Sequence, residues 1–194
     1  MESCKDKTTS LGDKIVALHH ELKQIWPGLS RMAVAIYDSQ TDELKTFVNS
    51  SSEQQSLRTY SAKLSDIPSL KILAEARQER IISDLSVLHT SQSSHSRWLI
   101  ESGFKSSYTL PLFGQQRLLG FLFFDAVKAD YFDKLVVRSL QVYAELIEVL
   151  LLNELASIYT LRGALNTATH LTHQRNSETA QHLNRMAHYA HILA

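Results

Sequence analysis

Apolar residues recur at helical spacing near both ends of the chain and at strand spacing between them. Over Ser10 to Trp26, Ile15, Leu18, Leu22 and Ile25 fall on one side of a helix, which Pro27-Gly28 ends because proline disfavours helix in the residue before it. Arg31 to Tyr37 alternates Met32, Val34 and Ile36 with Ala33, Ala35 and Tyr37, a strand with apolar residues on both faces. The polar stretch Asp38 to Asp42 predicts a turn into a second strand, Glu43 to Val48, followed by a polar loop from Asn49 to Gln55. Pro68 stands near a helix start that Leu70, Leu73, Ala74 and Arg77 continue, and a short strand, Arg80 to Ser83, comes next. His89 to Ser96 reads as a surface loop before a short helix, Arg97 to Ser102. Two more strands, Lys105 to Phe113 and Gln116 to Ala126, close the series. The unbroken apolar run Leu118 to Phe124 marks the last as a central strand covered on both sides.

From Asp130 onwards the pattern is helical throughout. Asp130 is the expected cap, with Asp133 adding a favourable acid at the positive end. Val136, Leu140, Tyr143, Ile147, Leu151, Leu155, Ile158, Leu161 and Leu165 advance by about 3.6 residues per step, the period of a straight α-helix. Over Leu146 to Leu152 only Glu148 interrupts an apolar surface that covers most of the circumference, so this stretch is expected to be surrounded. A helix from Asp130 to about Leu171 would be about 60 Å long, more than one small domain covers, and a second copy of the chain is its simplest partner.

Composition narrows the function. Lys plus Arg and Asp plus Glu both total 20 in 194 residues, a neutral balance that argues against nucleic-acid binding, which needs a basic excess. No apolar stretch approaches the roughly 20 residues of a membrane helix, and Met1 to Ser10 has no apolar run of the secretory kind. A single cysteine, Cys4, makes no internal disulfide, so a reducing cytoplasm is the expected setting. Six glycines and three prolines are few, and beyond residue 120 only Gly163 breaks the helical pattern.

Residues 31–150, with Gly103-Phe104-Lys105-Ser106-Ser107-Tyr108-Thr109-Leu110-Pro111-Leu112 and Gly120-Phe121-Leu122 at the last two central strands, resemble a GAF domain. The resemblance implies an α/β (α+β) fold: an antiparallel sheet flanked by helices, then a long C-terminal signalling helix and a short helical segment. It also implies a small-molecule effector between the sheet and its overlying helices. A second resemblance covers the last residues. Arg175 to Ala190 is similar to the opening helix of HD-GYP domains, bacterial phosphodiesterases of cyclic di-GMP, whose pattern there is Glu-Thr-Gly-x-His-x-x-Arg; Ala180 replaces the glycine. It implies that Glu178 and His182 are two ligands of a site that, in the complete domain, holds two or three divalent metals (Fe, Mn or Zn). Glu178, His182, Arg185 and Tyr189 share one side of a helical wheel and Leu183, Met186, Ala187, Ala190 and Leu193 a neighbouring one.

The expected organisation is an N-terminal helix (1–30), a GAF-like sensor (31–150), a linker helix (151–174) and the start of an HD-GYP domain (175–194). The 194 residues are expected to be catalytically inactive by themselves, to hold no cofactor or metal, and to dimerise through their first and last helices. Tyr37, Tyr108, Trp98 and His95 are the candidates for lining the effector pocket. Asp125 to Asp133 lacks the residues of cyclic-nucleotide-binding relatives, and Cys4 lies before the first helix, away from where a covalently held bilin would need it. His19 and His20, adjacent on the first helix, point about 100° apart and are expected in solvent. The alternative from another class is a GAF-like dimerisation scaffold that binds nothing, or a GAF input to a different output.

Overall fold

The structure, a computed structural model, describes residues 9–51, 61–88 and 94–193, with side chains described except at 94–96, 162 and 171–193. Helix α1 (Leu11–Ile25) is followed by strands β1 (Leu29–Asp38), β2 (Glu43–Ser51) and β3 (Ser61–Lys63). Helix α2 (Pro68–Ala76), strand β4 (Arg80–Ile82), helix α3 (Ser94–Glu101), strands β5 (Ser106–Gly114) and β6 (Arg117–Ala126) and helix α4 (Lys134–Leu193) complete the order. The strands form one six-stranded antiparallel sheet in the order β3-β2-β1-β6-β5-β4. Strands β1 and β6 are therefore its centre, which is why the apolar run of β6 is buried from Gly120 to Ala126.

The period of two in the strands sorts side chains into two cores. Met32 and Val34 of β1, Tyr108 and Leu110 of β5, and Leu122 and Phe124 of β6 pack with Ile15 and Leu22 of α1 and Leu140 and Ile147 of α4. On the opposite face Ala33, Ala35, Phe121 and Phe123 pack with Leu70 and Leu73 of α2. Each fully buried aliphatic or aromatic side chain contributes about 1.5–3 kcal/mol.

Helix α1 begins in a reciprocal cap, in which Ser10 Oγ accepts from the Asp13 amide and the Asp13 carboxylate accepts from the Ser10 amide. Its buried stripe is Leu11, Ile15, His19 and Leu22, whereas Ile25 is 56% exposed, so His19 does not stand in solvent as its neighbour His20 does. The His19 Nδ1 atom lies 2.6 Å from Ser50 Oγ on β2. Burial, then the charges of Lys23 and His20, lower its pKa to about 4 from 6.5. As the pH falls, the unfolded chain binds this proton first, so the stability His19 contributes is intact above pH 6.5 and is lost on the way to pH 4. The loss is about 3 kcal/mol at 1.36 kcal/mol per pKa unit. Urea unfolding at a series of pH values should show it, with a shallower acid slope in His19→Leu; an identical slope in the variant would refute the assignment.

Three expectations need correction. The cap of α4 is Asp133, whose Oδ1 accepts from the Leu135 and Val136 amides at 2.9 Å each, while Asp130 is in the left-handed region at φ 54°. Gly163 does not break the last helix, which runs through it to Leu193. Strand β2 continues through Asn49 to Ser51 where a loop was expected, because Asn49 pairs with Ala33 and Ser51 with Arg31. The chain divides into two compact units, Met1–Leu151 and Leu152–Ala194. Among the described residues, no helix is long and apolar enough to cross a membrane.

Candidate functional site

The α2 and α3 side of the sheet carries the polar chemistry. Cross-strand pairing sets Arg80 (β4), Thr109 (β5), Phe123 (β6), Ala33 (β1) and Asn49 (β2) in one row, and Ile82, Ser107, Asp125, Arg31 and Ser51 in the next. Opposed residues on paired strands share a face, so both rows look toward the overlying helices. Small Ala33 and flat Phe123 form an apolar middle with polar groups around it.

Arg31 and Asp125 are 3% and 0% exposed and form a buried ion pair, Nη1 to Oδ2. Arg31 Nε also donates to Asn49 Oδ1 at 2.9 Å, and α3 lays the Trp98 ring over the guanidinium, 4.9 Å from ring centroid to Cζ. Trp98 is itself braced against Phe104. A cation under an aromatic face with a carboxylate beside it is compensated without water. The far sides of the two flanking groups are not bonded: Asp125 Oδ1 and Asn49 Nδ2 are buried with no hydrogen bond. Arg80 Nε is likewise buried and unbonded, and burial lowers the Arg80 pKa.

The residues expected to line one pocket do not come together. Tyr37 lies on the α2 side, where its hydroxyl donates to Asp42 at 2.9 Å. Desolvation and the Asp42 carboxylate raise its pKa. Tyr108 lies on the other face of the sheet, fully buried against Phe124 and Phe132, and its hydroxyl donates to Glu79 Oε2 at 2.5 Å. Burial and that carboxylate push its pKa up. Trp98 alone of the candidates with described side chains meets the polar rows. The His95 side chain lies outside the described residues, as do those of Glu178 and His182, which occupy positions on α4. Among the described residues no three His, Cys, Asp or Glu side chains converge on a metal position. Sequence reading missed Arg31, Asn49, Arg80 and Asp125. The available signal was a charged residue at the edge of each of two apolar strand runs, with opposite signs.

A domain model for the GAF family matches residues 15–151, most of the chain. The chain belongs to the GAF family. Solved structures agree on the fold. The GAF domain/HD domain protein from Geobacter sulfurreducens superposes with a TM-score of 0.60 at 15% identity, over 75% of this chain and 94% of that one. The phycocyanobilin-bound GAF domain of a cyanobacterial phytochrome gives 0.56 at 21% identity, over 72% and 83%. The type II free methionine-R-sulfoxide reductase from Thermoplasma acidophilum gives 0.57 at 15% identity, over 74% and 92%. No curated protein matches the chain significantly in sequence. In this GAF domain the two polar rows lie on the sheet face opposite the one packed on α1 and α4.

Proposed function

We propose that this GAF domain is the sensory region of a cytoplasmic bacterial cyclic di-GMP phosphodiesterase of the HD-GYP type, a homodimer that takes a small-molecule effector on the α2 and α3 side. The observation that carries the reading is the unbroken α4: one helix contains both Leu140 and Ile147 of the GAF core and the Glu178 to Arg185 segment. The fold shared with a protein named for GAF and HD domains supports it. By the resemblance, Glu178 and His182 are two ligands of that domain's metal site, which needs others besides them.

Polar contacts tie α4 and its surroundings to the sheet. Glu79 Oε2 accepts from Tyr108 and, at 3.0 Å, from Gln141 Nε2 of α4, and Glu148 Oε2 accepts from the Phe113 amide at 3.2 Å. Trp26 Nε1 of α1 donates to Ser139 Oγ at 3.0 Å. Signalling then requires two arrangements of these contacts that differ in effector affinity. Reading the gene past the codon for Ala194 tests the assignment: a histidine-aspartate pair and a Gly-Tyr-Pro loop are expected, and a frame that stops or continues without them overturns it.

For the dimer, Leu135, Val142, Leu146 and Val149 lie within a narrow arc of α4 and are 71%, 64%, 44% and 53% exposed, a stripe at coiled-coil spacing. Val142→Glu with Val149→Glu should weaken self-association at least about a hundredfold, or about 2.7 kcal/mol. Sedimentation equilibrium measures this, and an undiminished dimer would exclude the stripe as the interface.

A further inference from the structure

The chemistry of the effector can be read from the polar rows, an inference that rests on the α2 and α3 face being the receptor. A buried donor or acceptor left unbonded costs about 1–3 kcal/mol, and among the described residues this face keeps three: Asp125 Oδ1, Asn49 Nδ2 and Arg80 Nε. They are not equivalent. Asp125 is already neutralised by Arg31, and the same guanidinium occupies Asn49 Oδ1. Arg80 has no such compensation: among the described residues it forms no ion pair, and its Nε is unbonded. Its formal charge is therefore the surplus of the cluster, because an arginine stays protonated in proteins.

The surroundings of Arg80 suit an anion. Thr109, 2% exposed, is directly opposite it across β4 and β5, and Ser107, 3% exposed, is the next residue of β5 on that face. Phe123 is the next position along the row, and Asp125 follows on β6 opposite Ser107. Arg80 and Asp125 are thus two strands and two residues apart, about 12 Å between Cα atoms from strand spacings. A small organic molecule can span that separation, with Phe123 in the row between them.

We propose that this face binds a small organic anion, a carboxylate or phosphate ester, whose charged group pairs with Arg80 and the Thr109 hydroxyl and whose hydrogen-bond donor meets Asp125 Oδ1. Planar guanidinium groups recognise both carboxylate and phosphate, and the free carboxylate oxygen selects ligands carrying an N–H or O–H.

The test titrates the isotope-labelled 194-residue chain with acetate, inorganic phosphate and neutral acetamide, following the Arg80 Nε–H and Thr109 amide resonances. One of the anions should shift both saturably, with a dissociation constant of about 1–10 mM, and the tighter of the two tells carboxylate from phosphate. Arg80→Gln should weaken it at least about tenfold, whereas Lys71→Gln on α2 should leave it unchanged. Thr109→Val, expected to weaken binding severalfold, serves if Arg80→Gln does not fold. Failure of both anions to saturate, or binding undiminished in the Arg80 or Thr109 variants, overturns the proposal. Acetamide saturating the same resonances overturns the anion and leaves the receptor standing.

Discussion

Arg31→Met is expected to destabilise the GAF core by about 3–5 kcal/mol, because it strands the Asp125 carboxylate in the interior without a counter-charge. Asp125 has no exposed surface, and its other oxygen has no hydrogen bond to fall back on. Part of the loss comes from Trp98, whose ring loses the cation beneath it, worth about 0.5–2 kcal/mol. Replacing both partners, Arg31→Met with Asp125→Leu, should recover most of the stability, because an apolar pair needs no compensation. Urea unfolding of the two single variants and the double variant measures the coupling. Additive losses would mean that the pair is not the unit of stability described above.

Gly120→Ala is the second large effect, expected at about 3–5 kcal/mol or as failure to fold. Gly120 sits in the central strand at φ +156°, and a Cβ there would lie 1.9 Å from the Ala35 carbonyl oxygen on β1. The obstruction is backbone, so no side chain can rotate aside; β1 and β6 would have to separate at the middle of the sheet. Gly12→Ala on α1 is the control. Its Cβ would meet Ser10 and Val48 at 3.7 Å, ordinary contact, and should stabilise by about 0.5–1 kcal/mol. Thermal unfolding with retained amide dispersion separates the two, and a folded Gly120→Ala protein of normal stability would refute the packing argument.

Legibility in the sequence followed the range of the interaction. The run Leu118 to Phe124 and the regular steps from Val136 to Leu151 placed the central strand and the start of the long helix, because a continuous or periodic pattern needs no knowledge of partners. The three residues of β3 carry no pattern of their own and exist because Glu43 to Lys45 offers them an edge. The Arg31–Asp125 pair joins residues 94 apart and follows only from the β1 and β6 register. The same limit explains Tyr37 and Tyr108: alternation fixes faces within a strand, but which faces of two strands coincide is decided by pairing. His19 was misplaced for a local reason, since the stripe through Leu18 and Ile25 is wholly apolar whereas the buried one, through Leu11 and His19, carries a polar residue.

Glu79 and Arg80 are neighbours in the chain that serve opposite layers: one is bonded to Tyr108 and to Gln141 of α4, the other stands in the row with Thr109. Strand β5 repeats the division, with Ser107 and Thr109 on one side of Tyr108 in space though not in sequence. On the proposed reading, Arg80 and Thr109 can be exchanged without removing the bonds that Glu79 makes to Tyr108 and to Gln141 of α4. A descendant of such a domain is free to drift toward a new chemical stimulus in single steps, inheriting its wiring intact.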